Sequence, residues 1–187
     1  MKNKLNIIIE NSLKFGALMG VVFILLSLIY YIAGFDQFNA VFEIVILLVS
    51  LAVYIGFLYY SNKTLRDKKL NKVLTYTDGL LNSFITGVIA AILSGIYSYL
   101  FYQYFDPAYL AESIERSIEM LEQNPTFKSE VLDNAIAKIE SITPLNSALH
   151  GFYKNIEMCF IFALIISAFT RKKPLPSFSD EEISTND

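Results

Sequence analysis

Apolar residues in this chain gather into four runs, each about 18 residues or longer and therefore long enough to cross a bilayer. They are Leu13 to Ala33, Ala40 to Tyr60, Leu80 to about Tyr102, and Phe152 to Thr170. Between the third and fourth runs the pattern changes from continuous to periodic. Leu110, Ile114, Ile118 and Leu121 recur at helical spacing, with Glu112, Glu115, Arg116, Glu119 and Glu122 on other faces, which predicts an amphipathic helix. Asp106 can cap that helix, and Pro107 suits its first position, where the missing N–H would have no partner in any case. Asn124 and Pro125 break it. Phe127, Val131, Ala135, Ile139 and Ile142 then line one side of a second helix, expected to stop at Thr143 and Pro144. The expected fold is all-α: a polytopic membrane protein with four transmembrane helices and an amphipathic helical hairpin between the third and fourth.

Composition points the same way. Of 187 residues, 54% are hydrophobic, 14% aromatic and only 18% charged, against about 45 to 50% apolar in an ordinary soluble domain. The first run is longer than a signal-peptide core, and no small-x-small cleavage site follows it before the second, so it is expected to remain in the mature protein. A formal charge of -3 provides no global basic field, and nucleic acid is not expected as a partner. Cys159 is the lone cysteine; it cannot form an intrachain disulfide or a cysteine-based zinc site, and it is expected to pack as a small apolar group.

Lysine and arginine set the threading, because cytoplasmic loops retain positive charge. Lys2, Lys4 and Lys14 flank the first span, Lys63, Arg66, Lys68, Lys69 and Lys72 follow the second, and Arg171, Lys172 and Lys173 close the fourth. The opposite connections are "GFDQFN", with no basic residue, and the segment from Asp106 to Leu149, with eight acids against Arg116, Lys128 and Lys138. Both termini are therefore expected in the cytoplasm. Aromatic residues mark the expected headgroup levels: Tyr30, Tyr31, Phe35 and Phe38, then Tyr59 and Tyr60, then Tyr97, Tyr99, Tyr102 and Tyr104, with Phe152 and Tyr153 on the fourth span. Residues 1–173 read as a single membrane domain with residues 106–148 extracytoplasmic, and residues 174–187 as a disordered cytoplasmic tail. The hairpin is expected to pack on itself as a small cap, because it lacks the basic polar face of a helix adsorbed to anionic lipid; docking of a partner protein is its functional alternative.

Small residues predict how the spans pack. Gly79, Ser83, Gly87, Ala91 and Gly95 lie four apart on one face of the third span, with Thr86, Ala90, Ser94 and Ser98 in a row beside them. In lipid, helices associate by close backbone approach over such stripes. Gly16 and Gly20 form a matching patch on the first span, so the third helix is expected to sit centrally and receive the first. A moving gate and a homodimer contact are the alternatives.

The stretch "YKNIEMCFIFALIISAFTRKK" places ionisable groups inside an apolar run. Glu157 precedes Arg171 by 14 residues, roughly 21 Å of helix, within a hydrocarbon core of roughly 30 Å. A carboxylate at that depth should be protonated, paired or facing a wet cavity. Glu43, at 20 residues before Lys63, lies roughly 30 Å along its helix by the same measure, toward the same outer side, so Glu43, Lys154, Asn155 and Glu157 form a candidate polar cluster. Its structural reading is a Lys154–Glu157 pair at i, i+3 that anchors helices. Its functional reading is an outward-facing site for a cation, proton or small ligand. His150, the only histidine, reads as a boundary residue. Phosphate loops, zinc-protease helices, nucleophile elbows and dinucleotide fingerprints are missing from the sequence, so neither catalysis nor a cofactor or metal site is expected.

With "NKTLRDKK" after the second span, "YTDG" leading into the third and "YQYFDPAYL" opening the acidic segment, the chain resembles a Bacteroidota membrane family, domain of unknown function 4199. The likeness covers nearly all of Leu13 to Thr170. It implies a multi-pass protein of the bacterial inner membrane with four spans, and it carries no activity or functional residues to transfer. The leading functional expectation is a non-enzymatic membrane protein acting through helix packing or association, whether as a homo-oligomer or with a membrane-protein partner. The alternatives are a small ion, proton or solute carrier or channel subunit using the polar cluster, and a membrane enzyme acting on lipid or envelope material.

Overall fold

The computed structural model describes residues 3–34, 39–123 and 129–172. Six helices are formed among them, and four are long and apolar enough to span a membrane. The chain is a multi-pass all-α membrane protein. The four long helices are α1 (Lys4–Ile32), α2 (Ala40–Thr64), α3 (Tyr76–Leu100) and α6 (Pro144–Thr170), while α4 (Pro107–Glu122) and α5 (Ser129–Glu140) form the hairpin between α3 and α6. A π-helical turn extends α2 through Leu65–Lys69, and another extends α3 through Phe101–Phe105.

Side-chain caps set the helix starts. The Asn39 side chain accepts from the Val41 N–H at 3.0 Å to begin α2. Thr75 and Asp78 cap α3 reciprocally, which satisfies two orphan donors at once. Asp106 accepts from the Tyr109 N–H at 3.1 Å to begin α4, with Pro107 in its first turn. Thr143 accepts from the Asn146 N–H at 3.2 Å, so Thr143 and Pro144 begin α6 as well as following α5, which ends at Glu140. The long helices also extend beyond their apolar runs: α1 starts well ahead of Leu13 and α6 ahead of Phe152. Hydropathy registers only the part matched to lipid, whereas backbone hydrogen bonding continues a helix into the polar layers. The expected break at Asn124 and Pro125, Phe127, the aromatic marks Phe35 and Phe38, Lys2, Lys173 and the tail of residues 174–187 lie outside the described residues.

Helix α3 is central, with α1 on one side and α6 on the other. The two small-residue rows divide this work. Gly79, Ser83, Gly87 and Gly95 turn toward α6: Gly87 lies against Cys159, Gly95 against Phe152, and the Cys159 thiol reaches the Ser83 carbonyl at 3.6 Å. The row containing Thr86 and Ala90 turns toward α1, where a Cβ on Gly16 would come within 2.7 Å of the Thr86 carbonyl oxygen and one on Gly20 within 3.3 Å of the Ala90 Cα. Ala91 is buried beside them. The small-residue rows thus permit two close helix approaches, with α6 taking the row of Gly79, Ser83, Gly87 and Gly95 and α1 the row of Thr86 and Ala90.

The bundle has two unlike ends. At the first, called here the basic end, Lys4 pairs with Asp78 at 2.6 Å, Arg66 donates to the Thr170 carbonyl at 3.1 Å, and Leu74 and Lys172 exchange backbone hydrogen bonds of 3.0 and 2.8 Å. At the other, the hairpin end, α4 packs on α5 and on the π-helical turn after α3. The Tyr31 hydroxyl donates to Asp106 at 2.7 Å, and its ring meets Phe101, Phe105 and Tyr109 edge-on. Exposed side chains on the spans are largely apolar, such as Leu25, Ile29, Leu48 and Phe169, while buried ones include many polar groups, the distribution expected of helices solvated by lipid.

Candidate functional site

One stripe of α2 organises the site. Glu43, Leu47, Ser50 and Tyr54 follow one another at helical spacing, and the stripe continues through Leu58, Ser61 and Leu65. From Tyr54 onward it is buried against the other spans, with Leu58, Ser61 and Leu65 at 0% exposure. Toward the hairpin end it parts from α6, and a cleft of about 550 Å³ opens between the two helices. Glu43, Ser50 and Tyr54 line it from α2, and Lys154, Asn155 and Met158 from α6. Tyr54 is held over the floor by Phe23, with ring centroids 5.0 Å apart, and by Phe162 at 5.9 Å. Its hydroxyl donates to Asn155 Oδ1 at 2.9 Å. That bond orients the Asn155 amide and leaves its Nδ2 without a partner among the described residues.

The cleft brings together three of the four residues in the candidate cluster. Glu43 and Lys154 face it from different helices without pairing to each other, and Asn155 lies between Tyr54 and the opening. Glu157 does not line it; it is exposed on the face of α6 that carries Tyr153, Phe160 and Ile161. No ion pair links Lys154 and Glu157 among the described residues. Lys154 shares the cleft face with Met158, four positions on, and this register turns Glu157 aside. His150 is exposed near the start of α6. Glu43 also lines a second cavity of about 620 Å³ beneath α4 and α5, which shares Tyr102 with a third of about 270 Å³. Ile46 borders all three, so the spaces adjoin around the start of α2.

At the basic end lies a constellation that sequence reasoning missed. Asn11 and Ser12 of α1, Ser61 and Asn62 of α2, Asn82, Ser83 and Thr86 of α3, and Ser167 and Thr170 of α6 are all at most 1% exposed. Asn82 is the hub: its Nδ2 donates to Ser61 Oγ at 2.8 Å and Asn62 Oδ1 at 2.9 Å, and its Oδ1 accepts from Asn11 Nδ2 at 3.0 Å. Ser12 Oγ lies 3.0 Å from the same Oδ1. Asn62 passes the chain on to Thr170 at 3.0 Å, so all four spans are linked. Asn11 Oδ1, Ser83 Oγ and Ser167 Oγ are buried without a partner among the described residues. The available signal was three amide residues beside or within apolar runs. Asn11 and Asn62 fell just outside the runs as drawn, and Asn82 sits in the third run beside a serine assigned to packing. The network contains no ionisable group, so chemically it can clamp helices but cannot exchange charge.

No curated protein and no solved structure matches the chain. The bundle of four spans with its inserted hairpin does coincide with a family described as "Protein of unknown function (DUF4199)", whose model matches residues 14–172. The chain belongs to that family.

Proposed function

We propose that this is a non-enzymatic protein of the bacterial inner membrane that holds a ligand in the cleft between α2 and α6, with both termini cytoplasmic and the α4–α5 hairpin outside. One observation carries the reading: opposite charges from two different helices, Glu43 and Lys154, line one open cavity without neutralising each other. Charges are costly in a bilayer and are kept where they meet water, a partner or a ligand. The orientation rests on charge asymmetry. Lys4, Lys63, Arg66, Lys68, Lys69, Arg171 and Lys172 gather at the basic end, and α4 carries four glutamates, the distribution that directs the former to the cytoplasm. The cleft then opens outward while the asparagine network closes the cytoplasmic end, an arrangement suited to binding rather than to open conduction.

Partner association remains a second reading, favoured by Met120, Val131 and Ile142, which the hairpin leaves exposed. Cysteine labelling tests orientation and access in two steps. In whole cells Glu119→Cys should react with a membrane-impermeant maleimide added outside and Lys68→Cys only after permeabilisation, while Ser50→Cys should react once the chain is purified and delipidated in detergent. Buried Cys159 supplies little background. Labelling of Lys68→Cys from outside would reverse the threading, and an inert Ser50→Cys would close the cleft.

A further inference from the structure

We propose that the cleft takes a zwitterionic phospholipid of the ethanolamine class, its ammonium beside Glu43, its phosphate beside Lys154 and the Asn155 amide, and an acyl chain along Leu47, Leu51 and Met158. This rests on the reading of the α2–α6 cleft as a ligand site and names its occupant. Charge is the first ground. Glu43 would repel an anionic lipid and Lys154 a simple cation, whereas a ligand carrying both signs satisfies each. Asn155 adds direction: its Oδ1 already accepts from Tyr54, so the Nδ2 donors are the end left for an anion.

Depth is the second ground. Glu43 stands 20 residues before Lys63, about 30 Å along the helix, which matches the hydrocarbon thickness of about 30 Å and sets its carboxylate at the headgroup boundary. Lys154, 17 residues before Arg171, lies about 25 Å from the opposite boundary and can extend its ammonium toward the same level. Leu47 and Leu51 follow Glu43 by one and two turns on α2, and Met158 follows Lys154 by one turn on α6. Polar groups at the rim with apolar groups below reproduce the order of a phospholipid from head to chain. A soluble zwitterion would meet the charges but leave Leu47, Leu51 and Met158 in a cavity of about 550 Å³ without an apolar occupant. A primary ammonium rather than a quaternary one is indicated because the group at the rim is a carboxylate, which accepts hydrogen bonds, rather than an aromatic cage.

Native mass spectrometry of the full chain in mild detergent tests the assignment, by titrating phosphatidylethanolamine, phosphatidylcholine and phosphatidylglycerol with matched acyl chains. The expected result is at least a fivefold preference for phosphatidylethanolamine over phosphatidylglycerol, with phosphatidylcholine weaker than phosphatidylethanolamine. Glu43→Gln should abolish the preference and Lys154→Gln should weaken retention. Glu157→Gln, on the same helix but outside the cleft, should leave both unchanged. Glu43 and Lys154 are exposed, so these variants should fold, and a detergent melt of each checks it. Equal retention of the three lipids by the native chain would overturn the proposal, as would a preference that survives Glu43→Gln. Displacement of the lipid by soluble glycerophosphoethanolamine at equal concentration would also overturn it, moving the source to a free metabolite while leaving the cleft as a ligand site. A cleft inert in the Ser50→Cys labelling fails separately, at the level of the site.

Discussion

The two halves of a single face of α2 meet opposite surroundings. From Tyr54 to Leu65 the face is sealed against three other helices, and its polar members Ser61 and Asn62 are spent on hydrogen bonds. From Glu43 to Ser50 the same face looks into a cleft, and its polar members make no side-chain hydrogen bond or ion pair among the described residues. Both halves place polar groups in an apolar setting; they differ in what satisfies those groups. Amides and hydroxyls can satisfy one another inside protein, so a neutral network closes on itself and fixes the helices. A carboxylate and an ammonium too far apart to pair cannot do so. One half therefore reads as structure and the other as a site.

The contrast can be broken at its hub first. Asn82→Leu removes the amide hydrogen bonds to Asn11, Ser61 and Asn62 and leaves their groups buried; at about 0.6 kcal/mol for each bond in a membrane protein, it should cost about 2 kcal/mol, or more where the orphaned groups find no other partner. Denaturant unfolding in mixed micelles measures the loss, and an unchanged midpoint would mean that the clamp contributes nothing. Gly87→Ala should cost about 1 to 3 kcal/mol, because the new Cβ would overlap the Cys159 side chain where α3 packs on α6. Adding Cys159→Gly should recover part of it, and a double-mutant cycle showing strict additivity would deny the contact. Tyr54→Phe stands at the junction of the two halves and should cost only about 1 kcal/mol, by removing the bond to Asn155. Its sharper effect should be on retention of phosphatidylethanolamine in the native spectra, since the Asn155 amide is then free to turn. Glu43 is exposed and makes no ion pair among the described residues, so Glu43→Gln should change the unfolding free energy by no more than about 0.5 kcal/mol, which sets the site apart from the clamp.

Much of the architecture was legible in order along the chain. Apolar runs marked the four spans because lipid leaves no alternative partner for backbone groups than the helix itself, and Asp106 with Pro107 marked the start of α4 because capping is a local affair. The small-residue rows were legible as packing surfaces, but not which neighbour each would receive: that Gly87 meets Cys159 while Gly16 meets Thr86 depends on how three helices rotate against one another.

The polar groups divided along the same line. Glu43, Lys154 and Asn155 stand out in sequence because ionisable or amide groups are rare in apolar runs, yet only the crossing of α2 and α6 decided that these three share a cleft and that Glu157 does not. Asn11, Asn62 and Asn82 are separated by tens of residues, and each alone looks like an ordinary boundary polar group. Their meaning is relational. Local pattern sets helix, span and cap, because those interactions act over a few residues, whereas the partner of a buried amide is chosen by tertiary packing.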